Sequence, residues 1–121
     1  MNPMLLAVGV VFMMASVPLI LISIMLKSSR ITKNSVIGVR FQGYEKWSED
    51  KWKVVNKAAG KWCVVISIIM DLLGMALITL AVFLNKVDNV TVGIVTLCGF
   101  IVLVLVMAMA ISARNLANSI D

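Results

Sequence analysis

The sequence contains no histidine. That absence removes the usual general base near neutral pH and the commonest metal ligand. Cysteine is almost as scarce. Cys63 and Cys98 each lie inside an apolar run, without the CxxC spacing of a zinc or redox site, and read as small packing residues. There is no HExxH, no nucleophile motif and no acidic pair placed for metal chemistry, which argues against an enzyme and implies no cofactor. Charge is also thin and lopsided. Charged residues make up 14% of the chain against 61% hydrophobic, with 6 acids to 11 bases. Soluble domains run near half apolar and a quarter charged. A domain of 121 residues leaves much of its surface in water and could not hide this much apolar side chain, so lipid must be the solvent for most of it.

What is present is three long apolar runs. The first, about 4–26, has no charged residue and is long enough to cross a hydrocarbon core of about 30 Å. It lacks the basic start and small-residue cleavage site of a signal peptide, and reads as a retained helix. Pro18 lies within it and removes the helical donor for the Met14 carbonyl, with Ser16 and Ser23 nearby to satisfy backbone groups. The second run spans about 62–84 and is broken once, by Asp71; the third spans about 91–113. The polar turn between them, Asn85 to Asn89, is short enough to force an antiparallel hairpin. Gly74, Gly93 and Gly99 are places where backbones can approach closely.

Lysine and arginine set the expected orientation. Nine of the 11 basic residues lie between Lys27 and Lys61, namely Lys27, Arg30, Lys33, Arg40, Lys46, Lys51, Lys53, Lys57 and Lys61; Lys86 and Arg114 stand alone in the other connections. The positive-inside rule then places 27–61 in the cytoplasm, the N-terminus and the 85–90 turn outside, and the C-terminus inside. The expected fold is an all-α integral membrane protein, a single membrane domain over 1–121.

Within the basic segment Ser48, Glu49 and Asp50 read as a helix start, a capping oxygen followed by two acids beside the positive end of the dipole. Trp47 before the cap and Trp52 at the fourth helical position suit a hydrophobic staple. Trp52, Val55, Ala59 and Trp62 recur along one face, with Lys53, Asn56, Lys57 and Gly60 on the other. That pattern predicts a cytoplasmic amphipathic, interfacial helix over about 49–60, leading into the second span with Gly60 as a bend, and basic residues that favour anionic headgroups. Direct nucleic-acid binding is not expected, since topology accounts for the basic charge.

Asp71 lies near mid-membrane, where a carboxylate costs roughly 2.5–3.5 kcal/mol on insertion scales. It must face the bundle interior or another subunit, or carry its proton. A proton or cation site, a contact for a polar group on a ligand, and an interhelical hydrogen bond to Ser16, Ser23, Thr79 or Thr96 all fit.

Read as a string, the basic segment contains Asn34-Ser35-Val36-Ile37-Gly38-Val39-Arg40, then Ser48-Glu49 with Trp52, Asn56 and Gly60 at intervals of three and four. This resembles the signature of the SdpI/YhfL family, immunity proteins against the sporulation-delaying toxin and their relatives. There an N-x-x-(I/Y)-G-x-R stretch precedes a Ser-acid-x-x-Trp-x-x-x-Asn-x-x-x-Gly stretch that leads into a membrane helix. Asn34, Ile37, Gly38 and Arg40 match the first part; Ser48, Glu49, Trp52, Asn56 and Gly60 match the second. Phe41 and Gln42 stand where the family commonly has Thr, often with Pro. The resemblance implies a bacterial plasma-membrane protein of the short, three-helix form that protects against a secreted peptide toxin. For the best-known member it also implies sequestration of a cytoplasmic transcriptional repressor. Asn34, Arg40, Trp52 and Asn56 are expected to form one polar cluster below the membrane, with Gly38 in a tight turn. The competing expectation is a small transporter or channel subunit that uses Asp71 as its proton- or cation-coupling group. Three helices make too thin a wall for a pathway, so that reading requires a homo-oligomer.

Overall fold

The computed structural model describes residues 1–27, Gly38 and 44–120. Its regular structure is entirely helical: α1 (Pro3–Lys27), a 3₁₀ turn (Tyr44–Lys46), α2 (Glu49–Phe83) and α3 (Asn89–Ser119). All three α-helices are long and apolar enough to cross a membrane, the pattern of a multi-pass membrane protein. Asn2 and the α2–α3 turn lie at one end, and Lys27, the start of α2 and the end of α3 lie at the other.

The second helix departs from the expected interfacial helix over about 49–60 that bends at Gly60 into the second span. Residues 49–60 are the opening turns of a single 35-residue helix, about 52 Å long at the helical rise. Two causes are visible. No proline interrupts the stretch, and Gly60 serves close packing: a Cβ there would lie 2.7 Å from Lys27 Cγ and 3.0 Å from the Ser23 carbonyl oxygen. The apolar side of 49–60 is also not turned toward lipid. Trp52, Ala59 and Cys63 pack with Leu26 of α1, and Val55 packs with Ala113 and Ala117 of α3. Asn56 and Gly60, expected on a polar face, are buried as well.

Most of the packing is α1 against α2; α3 meets α2 over less of its length, and α1 and α3 scarcely touch. The α1–α2 seam repeats every seven residues. Asn2, just before α1, and Gly9, Ser16 and Ser23 on it face Gly60, Ser67, Gly74 and Ala81 on α2, and all eight are buried. The register is antiparallel: the Asn2 amide donates to the Ala81 carbonyl (2.8 Å), Gly9 sits on Gly74, and Ser23 lies over Gly60. A Cβ at Gly9 would fall 2.8 Å from the Gly74 carbonyl oxygen, and a Cβ at Gly74 the same distance from the Gly9 carbonyl oxygen. Between apolar helices in lipid, association depends on packing rather than water exclusion, and small residues let the backbones close up. A strict seven-residue period keeps that contact in line along two helices that wind around each other.

The third helix is held near its ends. Cys98 packs with Leu77 and Ala81, while Ala113 and Ala117 pack on Val55. The Cys63 thiol meets the Met109 sulfur at 3.9 Å. Gly93 and Gly99, expected as contact points, have no neighbour within 4 Å of a would-be Cβ. Of Gly74, Gly93 and Gly99, the glycines expected at close approaches, only Gly74 lies at an interhelical contact.

Candidate functional site

At the Lys27 end the start of α2 is built as its sequence dictates. Ser48 is extended (φ −67°, ψ 160°) and its hydroxyl accepts from the Lys51 amide at 3.1 Å, while Glu49 and Asp50 occupy the first turn. Trp47 and Trp52 lie 6.4 Å apart between ring centroids, the staple geometry, and Tyr44 joins them 5.9 Å from Trp52. Lys51 stands over the Trp47 ring at 5.2 Å and donates to the Ile120 carbonyl at 2.8 Å. That bond satisfies an acceptor at the negative end of α3 and ties the last turn of α3 to the first turn of α2.

Trp52 is the centre of this end, with none of its surface exposed. Gly38 reaches it from the preceding connection. A Cβ on Gly38 would collide with Trp52 Cζ2, would lie 2.7 Å from Cη2, and would stand 3.4 Å from Asn56 Oδ1. The Gly38 φ of +155° is a second reason for glycine. Asn56 is fully buried and its amide donates to the Trp52 carbonyl at 2.8 Å, one turn back along α2. Gly38, Trp52 and Asn56, from separate parts of the sequence pattern, therefore share one site. Gly60 lies one turn further on, at the α1 crossing, and Ser48 and Glu49 are exposed at the helix start. Asn34, Ile37 and Arg40 lie outside the described residues.

In the middle of the seam Ser16 Oγ donates to Asp71 Oδ1 at 2.5 Å and lies 2.7 Å from the Met13 carbonyl oxygen. The other hydroxyls named for Asp71 bond elsewhere or stand apart: Ser23 donates to Ile20, Thr79 donates to Met75, and Thr96 is exposed on α3. Asp71 is partly exposed although Ser16 is buried. The reason is its place on the helix. Met70 and Leu77 are buried, Leu77 in the cluster with Cys98, and each further residue turns about 100° around the axis. Asp71 thus stands beyond the seam, on the side of α1 away from α3.

The opposite end holds a polar cluster that the sequence reading missed. Asn2 has no exposed surface, and its side-chain oxygen accepts from the Met4 and Leu5 amides at 3.1 and 3.2 Å, capping α1. Its amide nitrogen donates to the Lys86 carbonyl and to Thr91 Oγ1, both at 3.0 Å. Thr91 in turn donates to the Lys86 carbonyl, and its backbone amide is capped by Asp88 at 3.1 Å. The signal was available: asparagine followed by proline is a favoured cap and first-turn pair. These groups satisfy one another and pin the start of α1 to the α2–α3 turn.

No protein-family model, no curated protein and no solved structure matches this chain.

Proposed function

We propose that this chain is a bacterial membrane immunity protein of the SdpI/YhfL type, protecting its host from a secreted peptide toxin and signalling through its basic, cytoplasmic end. The observation that carries this reading is the meeting of Gly38 with Trp52 and Asn56, three residues of the motif on which the resemblance rests. A motif whose members converge on one buried tryptophan is a single folded unit. The excess of basic residues in 27–61 supports a cytoplasmic location for that unit, with the Asn2 end outside. A site anchored on α2 and tied by Lys51 to the end of α3 can pass a change in the membrane helices to a cytoplasmic repressor at its surface.

The test is survival of a sensitive bacterium that expresses the protein during exposure to the sporulation-delaying toxin. Wild type is compared with Gly38→Ala and Arg40→Ala, with membrane levels matched. Protection by wild type and its loss in both variants is the expected result. Equal survival of wild type and an empty-vector control sinks the proposal. A second reading is favoured by one observation, the partly exposed Asp71 at mid-membrane. It makes the chain a subunit of an oligomeric transporter or channel in which Asp71 couples to a proton or cation. Its signature is an oligomer in mild detergent whose transport is abolished by Asp71→Asn.

A further inference from the structure

We infer that the Lys27 end of the helix pair carries a binding site for an anionic glycerophospholipid, with Lys57 and Lys61 holding the phosphate and Trp62 and Val65 receiving the acyl chain. Lys53, Lys57 and Lys61 stand four residues apart on one side of α2, and all are exposed. Like charges at that spacing repel one another. The next member of the row is Val65, 45% exposed, so the row passes from cations to hydrocarbon within one turn. Lys27 adds a fourth cation from α1, its stem crossing Gly60 directly before Lys61. The acids of this helix start, Glu49 and Asp50, lie three turns or more before Lys61 and form no ion pair with these lysines among the described residues.

Directly below the cations an open concavity of about 200 Å³ is lined by Lys61, Trp62 and Val65. Below it α2 continues with exposed Ile68 and Leu72. Lys61 is the last charge before Asp71, which places its ammonium at the boundary where a lipid phosphate lies, while the stem and the tryptophan ring reach into the hydrocarbon. Ordinary anchoring requires a lysine and a tryptophan near the interface. Here lysines of two helices stand at the same end, and one of them, Lys61, lines a concavity with an apolar floor; that combination fits a phosphate joined to an acyl chain better than a free anion.

The full-length protein is reconstituted in phosphatidylcholine vesicles containing a small fraction of brominated phosphatidylglycerol or of brominated phosphatidylcholine, and tryptophan quenching is compared. Phosphatidylglycerol should be preferred by about five-fold or more, the contribution of one lysine at an anionic surface. Lys57→Gln with Lys61→Gln should bring the two lipids close to equality. Lys61→Arg should keep the preference, and Trp62→Phe should remove most of the differential quenching. If the double variant fails to insert, wild type in about 1 M salt supplies the same test, because the screening length there is only about 3 Å. Equal quenching of wild type by the two lipids overturns the site, as does a preference indifferent to both salt and Trp62→Phe.

Discussion

The same substitution at two glycines should have opposite consequences. At Gly74 a new Cβ meets the Gly9 carbonyl oxygen at 2.8 Å and Met13 Cγ at 2.7 Å; at Gly93 nothing lies within 4 Å. Methionine can move its chain end, but the Gly9 carbonyl is helix backbone, so α1 and α2 must separate and loosen contacts on either side. Overpacking of this kind costs about 1–3 kcal/mol. Replacing glycine by alanine in a helix gains about 1 kcal/mol at either site, so that term cancels when the two variants are compared. Gly74→Ala should therefore unfold more readily than Gly93→Ala by about 1–3 kcal/mol, roughly a thirty-fold difference in the unfolding equilibrium at mid-range. Cys63 and Cys98 are free and buried, so a thiol-reactive fluorophore reports unfolding in mild detergent without engineered cysteines. Gly93→Ala should match or exceed wild type in this melt while Gly74→Ala falls below it. Equal shifts in the two variants would refute the glycine-on-glycine seam.

Asn2→Ala removes a helix cap and two donors from a fully buried cluster and should destabilise the fold by about 2–3 kcal/mol, seen in the same melt; Asn2→Asp, which keeps the cap acceptor and loses the donors, should fall between. Ser16→Ala strips Asp71 of its hydroxyl partner and should cost about 1–3 kcal/mol, more than Asp71→Asn, which retains a polar group opposite the serine; a silent Ser16→Ala would deny the bond any structural weight. Trp52→Ala should cost about 3–5 kcal/mol and expose the Lys27 end to limited proteolysis before the membrane helices unfold, and unchanged cleavage would remove Trp52 from the centre of that end. A cysteine placed at Val87 should react with an impermeant reagent from outside the cell, and labelling only from the cytoplasm would reverse the topology.

The three spans were legible because apolar runs of more than twenty residues with at most one charge have few other uses. So was the start of α2, where Ser48, two acids and the Trp47–Trp52 staple are local signals that need no tertiary knowledge. The face carrying Trp52, Val55 and Ala59 was read as facing lipid, yet it faces protein. Both environments are apolar, and side-chain period alone does not distinguish them. Gly60 was taken as a bend for a related reason: a missing Cβ can free a backbone or admit a neighbour, and here Lys27 and Leu26 fill the space. Ser16 stood among the possible partners of Asp71 and could be singled out only once the α1–α2 register was known. Asn2 was overlooked although its cap role is local, because its weight comes from Lys86 and Thr91 at the far end of the chain.

The seven-residue register between α1 and α2 restricts how such a chain can change length. One residue inserted into α1 would turn everything beyond it by about 100° and carry Ser16 or Gly9 out of the seam. Only an insertion of seven residues, matched by seven in α2, returns each small residue to its counterpart, and it lengthens the pair by about 10 Å. The helix pair can therefore adapt to a thicker or thinner bilayer only in coarse paired steps, and smaller mismatches must be absorbed by tilt.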